Sequence, residues 1–212
     1  MTETTFRGWP PEALRWFDEL AAHNNRPWFV DHRATYDDSV RGPMEALLGE
    51  LADEFGEGIV SRPNRDVRFS KDKSPYKLRI YARIPQASGG VYYVDLRSEG
   101  LFVGGGVYLA DRAQLGRLRA AIADDRTGSE LVAIVARLRS AGVDLMEDRA
   151  LKTAPRGYPV DHPRIDLLRL PSLAAGRLHP PRKWLGTRAA KDRVVDGWRA
   201  VTPLIDWISA NT

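Results

Sequence analysis

Apolar positions recur along this chain at two different spacings, and the change of spacing organises it. Near the N-terminus they fall three and four apart, the period of a helix with one buried face. Pro10 and Pro11 open the first such stretch, as proline favours in a first helical turn. Leu14, Phe17, Leu20 and Ala21 then line one face. Asn24 and Asn25 break it, and Asn25 is placed to cap a second helix bearing Trp28, Phe29, His32, Tyr36 and Val40. Gly42 and Pro43 predict a kink or a division there. Met44, Leu47, Leu48, Leu51 and Phe55 continue the stripe until Gly56 and Gly58.

The period then falls to two. Val67 and Phe69 alternate with charged residues, and Leu78, Ile80, Ala82 and Ile84 alternate with Arg79, Tyr81 and Arg83. Val91–Leu96 and Leu101–Leu109 flank a turn at 97–100. This predicts an antiparallel sheet of roughly three to five strands, with one packed face and one wetter face.

Helical spacing returns at Asp111, which with Gln114 predicts a capping box ahead of Leu115, Leu118 and Ile122. Thr127 and Glu130 predict a second box ahead of Leu131, Ile134, Val135 and Leu138, with Gly142 ending that helix. Residues 143–186 are rich in proline and predict short elements. A helix over 188–201 presents Val194, Val195, Trp198 and Val201, and Thr202-Pro203 predicts a fresh cap and a last helix through Trp207 and Ile208. No repeat or low-complexity linker interrupts the pattern. The expected fold class is α+β, a single domain over 1–212 with N-terminal helices, a central antiparallel sheet and C-terminal helices.

Composition narrows the function classes. The 212 residues are 43% hydrophobic, enough to bury a core. The longest clear apolar run is Leu131–Ala136, against the roughly twenty residues a membrane span needs, so no membrane partner is expected. The absence of cysteine excludes disulfides, thiol nucleophiles and cysteine-ligated metal centres. The start Met-Thr-Glu-Thr-Thr carries neither a basic nor an apolar leader, so a cytoplasmic location is expected.

The formal net charge of +4 hides a strong division. Residues 1–62 carry 6 basic and 12 acidic groups, residues 63–84 carry 7 and 2, and residues 149–199 carry 12 and 4. Two basic segments thus sit in an otherwise acidic chain.

The first of them holds the candidate chemistry. Arg65 and Arg68 bracket a strand-like Val67–Phe69, and alternation would set Asp66, Arg68 and Ser70 on one face. Ser70 to Lys77 reads as a loop presenting Lys71, Lys73 and Lys77 with the hydroxyls of Ser70 and Tyr76. Arginine offers a planar fork of donors and lysine a point charge, both suited to phosphate or carboxylate. Asp66 and Asp72 can orient those cations, or serve as a base where their surroundings raise a pKa. The alternative is a solvated basic loop with surface ion pairs of little worth.

The run R-D-V-R-F-S-K-D-K-S-P-Y-K at 65–77 resembles the signature of the domain of unknown function 2461, a family widespread in bacteria and also found in fungi. Asn24-Asn25 followed by Trp28-Phe29 is similar to it as well, as are Gly104-Gly105-Gly106 and the stretch from Leu151-Lys152 through Asp161-His162-Pro163 to Leu168. Together these features span about residues 6–208. The resemblance implies no activity, cofactor or catalytic residue.

Other candidates each have a structural counterpart. Gly104–Gly106 lacks the Gly-Lys-Ser/Thr of a phosphate loop, so close backbone approach or a bend is expected rather than a ligand on exposed backbone. Asp161, His162 and Asp166 are types found in acid–base pairs and hard-metal sites, but their spacing matches no metal signature, and capping of a short helix at 164–168 by Asp161 or His162 is a sufficient structural role. His23 and His32 suit the edge of a core. His179 lies in a basic, proline-stiffened loop with Trp184. Tyr81, Tyr92, Tyr93 and Tyr108 offer rings on which a single-stranded nucleic acid can stack, though aromatics are also ordinary strand formers.

The expected site is therefore an anion site on strand-loop 65–77 at a sheet end or cleft, with Asp66 fixing the arginines. Lys152, Arg156, Tyr158 and His162 are expected as its opposite wall. A small phosphorylated or carboxylated ligand is the first reading. A nucleic-acid or other polyanion module and a non-catalytic structural or partner-binding protein are the alternatives. No metal-ligating residue is assigned, and the residues name neither a metal dependence, a cofactor nor a reaction.

Overall fold

The computed structural model describes residues 5–87, 89–107 and 111–212. Helix α1 (Pro11–Ala22) starts on the expected prolines and buries Ala13, Trp16, Phe17 and Leu20. Its inner face is rotated from the expected one: Leu14 is half-buried and Ala21 is exposed. Trp16 sets that rotation, because its ring meets Phe17, Phe29 and Tyr36 at 5.4, 5.6 and 4.9 Å between centroids. Helix α2 (Arg26–Asp31) is capped as expected, the Asn25 side-chain oxygen accepting the Trp28 N–H at 3.0 Å. The single turn α3 (Arg33–Thr35) runs into a π-helical stretch, Tyr36–Arg41. Here the Gly42 N–H reaches back to the Asp37 carbonyl. Pro43 has no N–H to continue the ladder, so α4 (Gly42–Phe55) begins anew and buries the five expected apolar residues. It ends at Gly56, whose φ of 96° suits glycine.

The strands are β1 (Ile59–Val60), β2 (Arg79–Pro85), β3 (Val91–Arg97), β4 (Gly100–Val107), β5 (Asp144–Leu145) and β6 (Leu173–His179). Among the described residues they form one six-stranded antiparallel sheet in the order β1-β2-β3-β4-β6-β5. Ile59 pairs with Arg83, and Asp144 with Gly176. Ile80, Ala82 and Ile84 of β2 are buried, as alternation predicts, while Leu78 precedes the strand and is exposed.

Val67–Phe69 is not a strand. The Asp66 carboxylate accepts the Arg68 N–H at 3.2 Å, a local bond that competes with a ladder, and Phe69 is 97% exposed. Strand β6 was hidden for the opposite reason. Leu173, Ala174, Ala175 and Gly176 are all buried, so no alternation marks them.

Gly104, Gly105 and Gly106 of β4 serve close approach. A Cβ on Gly104 would lie 2.3 Å from the Ala175 carbonyl oxygen, and one on Gly106 (φ 126°) 2.3 Å from that of Leu173.

Helix α5 (Arg112–Ala123) is capped by Asp111, which accepts the Gln114 N–H at 2.8 Å. Helix α6 (Asp125–Ser140) is capped by Asp124 rather than Thr127. The extended Asp124 accepts the Thr127 N–H at 2.9 Å, which draws the buried Thr127 inside the first turn. The short α7 is Ile165–Leu168.

Helix α8 (Ala189–Asn211) passes unbroken through Pro203, where a restart was expected. Instead of capping, the Thr202 hydroxyl lies 2.9 Å from the Trp198 carbonyl and 2.9 Å from the Tyr92 hydroxyl. Val201, Leu204, Ile205 and Ile208 are buried on either side of the exposed proline, and this packing carries the helix across it. No helix among the described residues is long and apolar enough to cross a membrane.

Two compact units are distinguished within the chain. The first comprises Met1–Pro85, Tyr93–Val103 and Leu178–Val195, and the second Gln86–Tyr92, Gly104–Arg177 and Asp196–Thr212.

Candidate functional site

Loop 65–77 belongs to the first unit and is pinned at its base. Asn64 and Tyr76 form an isolated antiparallel bridge. On either side, the Arg65 N–H donates to the Pro75 carbonyl at 2.8 Å and the Lys77 N–H to the Pro63 carbonyl at 2.9 Å. The Tyr76 ring, 7% exposed, lies parallel to Phe29 at 4.0 Å. Asn24 holds the Tyr76 backbone from α1's end, donating to its carbonyl and accepting from its N–H. The Lys77 ammonium donates to the carbonyls of Arg62 and Asn64, and partial burial holds its pKa below the usual lysine value. Tyr76 and Lys77 are thus anchors of the loop.

The tip is organised by its two aspartates. Asp66 takes the Arg68 N–H and grips the Arg68 guanidinium, with Nε at 3.0 Å and Nη2 at 2.6 Å. Asp72 accepts the Ser74 N–H at 2.9 Å and the Ser74 hydroxyl at 2.6 Å, and pairs with Arg65. The Lys73 ammonium donates to the Val67 carbonyl at 3.0 Å. Asp66 therefore fixes Arg68 alone, while Asp72 fixes Arg65. Arg68 holds the Asp66 carboxyl below its usual range, and Arg65 does the same for Asp72. Both aspartates are charged hydrogen-bond acceptors rather than bases poised near neutrality. Around them Arg68, Phe69, Lys71 and Lys73 are exposed, with the Arg68 guanidinium 6.0 Å from the centre of the Phe69 ring. Ser70 is half-buried.

Past Lys77 the chain enters β2, and a second set of side chains follows. Opposite the packed face, β2 carries Arg79, Tyr81 and Arg83, β3 carries Tyr93, Asp95 and Arg97, and β4 carries Phe102. Tyr81 and Tyr93 stack at 5.5 Å, and Phe102 meets Tyr93 edge-on at 6.0 Å. Lys77 Nζ and the Arg79 guanidinium lie 5.8 and 5.5 Å from the centre of the Tyr81 ring. Beneath them Asp95, with its side chain 1% exposed, accepts from the Tyr93 hydroxyl at 2.9 Å and from Arg79 Nη1 at 3.1 Å. Burial pushes the pKa of the Asp95 carboxyl up, and that of the Tyr93 hydroxyl as well.

Sequence reasoning singled out Tyr81 and Tyr93 but missed Arg79, Asp95, Arg97 and Phe102. Their signal was the shared parity of Tyr93, Asp95 and Arg97. Tyr92, one residue off that parity, is buried against Trp198 at 5.6 Å, and Tyr108 lies outside the described residues.

Lys152, Arg156, Tyr158 and His162 belong to the second unit. Lys152 and Arg156 are exposed and Tyr158 is half-buried. His162 shapes the turn ahead of α7 without capping it, since Arg164 is the N-cap and no side chain caps the helix: the His162 Nδ1 accepts the Arg164 N–H at 3.0 Å, and its carbonyl accepts the Ile165 N–H at 2.9 Å. Arg164 is a fixed cation of this region, bonded to the carbonyls of Ile122 and Ala123 at 2.6 and 2.7 Å and to Asp125 at 2.9 Å. A groove of about 250 Å³ lies in the same unit, lined in part by Val132, Val135, Arg139, Glu147, Pro163 and Leu167. Of the other histidines, His32 stacks on Trp28 at 4.1 Å and His179 meets Trp184 edge-on at 6.0 Å.

No curated protein and no solved structure matches the chain. One family does, and its description names no activity. The model of the family described as "Conserved hypothetical protein (DUF2461)" matches residues 12–207, nearly the whole chain and all of loop 65–77, and the chain belongs to that family.

Proposed function

We propose that the chain is a binding protein for an extended anion, which it engages with the tip of loop 65–77. The observation that carries this reading is the open display of Arg68, Lys71 and Lys73 around a Phe69 that is 97% exposed, on a loop whose base is pinned. A small metabolite is held by a concave site that buries most of it. A polyanion needs no such enclosure, because it gains affinity from counterions released along its length. Asp66 and Asp72 support a binding role over a catalytic one, since both are committed to holding the loop. Lys152, Arg156, Tyr158 and His162 are not part of this proposal.

Fluorescence anisotropy with a labelled oligonucleotide, with inorganic polyphosphate as competitor, tests it. Affinity is expected to fall at least tenfold between about 50 and about 200 mM salt. Lys71→Glu, at an exposed position, is expected to weaken binding about tenfold through lost phosphate neutralisation, with the melting temperature unchanged. Absence of binding to either polymer at the lower salt overturns the reading. Tight, salt-insensitive binding of pyrophosphate alone would replace it with a small-anion site.

A further inference from the structure

Resting on that reading, we propose that the extended anion is a single-stranded nucleic acid whose bases stack on the strip formed by Tyr81, Tyr93 and Phe102. The three rings stand on adjacent strands β2, β3 and β4, with centroids 5.5 and 6.0 Å apart from one to the next. All three are half-buried and so keep surface to offer. The core of the first unit does not call for them, since Ile80, Ala82, Val94, Leu96, Leu101 and Val103 already fill the packed face of these strands.

Cations border the strip. Lys77 and Arg79 flank the Tyr81 ring, and Arg83 is exposed two residues along the same strand face. Rings beside a basic track serve single strands, because every base has a face to stack and every phosphate a charge to neutralise. The strip is also held in place. Asp95 takes the Tyr93 hydroxyl and Arg79 together, which fixes one ring and one bordering cation from below. Lys77 links the strip to the basic loop, since it anchors that loop through the carbonyls of Arg62 and Asn64. A duplex keeps its bases stacked inside, and polyphosphate has none, so neither can use the rings.

The test compares labelled single-stranded RNA, single-stranded DNA and duplex DNA by anisotropy, with polyphosphate as a base-free competitor. Tyr81→Leu and Phe102→Leu are each expected to weaken single-strand binding about tenfold, within what one stacked base contributes, and to leave polyphosphate binding unchanged. Should the leucine variants fail to fold, photocrosslinking of the wild-type protein to a thiouridine oligonucleotide decides, with Tyr81, Tyr93 or Phe102 expected in the crosslinked peptides. A duplex bound as tightly as a single strand overturns the inference while leaving the polyanion reading in place. Folded leucine variants that bind single strands like the wild type do the same, as do crosslinks confined to other segments. Failure of RNA, DNA and polyphosphate alike to bind at low salt removes both. A preference between the two single strands identifies which nucleic acid the site takes.

Discussion

The carboxamide of Asn24 pairs with both backbone groups of Tyr76, Nδ2 donating to the carbonyl and Oδ1 accepting the N–H, each at 3.0 Å. A neighbouring strand would satisfy a residue in the same way. Asn24 therefore stands in for a strand at a point where the sheet provides none, and it ties the end of α1 to the base of the basic loop 52 residues away.

Asn24→Ala removes both bonds beside the buried Tyr76 ring. An unsatisfied buried backbone group costs about 1–3 kcal/mol, and water reaches part of this site, so a loss of about 2 kcal/mol in a urea melt is expected. Amide exchange should quicken at Arg65, Tyr76 and Lys77 more than in α4. Unchanged exchange at those three amides would show that the loop does not depend on Asn24.

The glycines make opposite predictions according to their surroundings. Gly106→Ala sets a Cβ 2.3 Å from the Leu173 carbonyl oxygen at a φ of 126°, so about 3 kcal/mol or more should be lost, or the protein should fail to accumulate. Gly116 lies on the exposed side of α5 with nothing within 4 Å of a Cβ, so Gly116→Ala should gain about 0.5–1 kcal/mol. Thermal melts of the two variants are expected to move in opposite directions.

What the sequence made legible follows from how far each signal reaches. Periodicity and caps are local, and they found α1, α4, β2, β3, the Asn25 cap and the Asp111 cap. The two helix boundaries that moved depend on more than a motif. Asp124 captures the Thr127 N–H, and buried side chains on both sides of Pro203 override the break it signals. β6 was missed because burial on both faces erases alternation. In the candidate site, the basic run was visible as composition. Its anchoring by Asn24 and Phe29, and the pairing of Asp95 with Arg79, join residues far apart or on separate strands, which spacing along the chain does not encode.

Glu50 gives a pH dependence of known sign. Its carboxylate accepts from Arg188 at 2.8 and 2.9 Å, from Lys191 at 2.6 Å and from the Phe6 N–H at 2.8 Å. These bonds, chiefly that from Arg188, lower its pKa from 4.5 to about 2. The unfolded chain thus binds the proton more readily than the folded one across this window. The stabilisation is fully present above 4.5 and is lost as pH falls toward about 2. Melting temperature should fall over that range in the wild type and fall less in Glu50→Gln, which should also melt lower at neutral pH. Parallel profiles for the two proteins would contradict the assignment.

Asp66 separates the binding reading from a catalytic or ligand-contacting one. Its carboxylate neutralises Arg68, whose side chain is 77% exposed. An asparagine there keeps an oxygen for the Arg68 N–H and removes the charge. Asp66→Asn is therefore expected to bind polyphosphate and single strands about threefold more tightly, with a salt slope steeper by up to about one. The pH dependence has the matching sign. Because Arg68 holds the Asp66 carboxyl below its usual range, it stays charged down through ordinary carboxylate pH. Wild-type affinity should be flat above that range and rise only below it, as Asp66 and Asp72 take up protons and the loop becomes more positive. The asparagine variant should show a smaller rise. Weaker binding by a folded Asp66→Asn would instead place this carboxylate in direct contact with the ligand, and the loop would have to be reassigned as a site that recognises donors as well as anions.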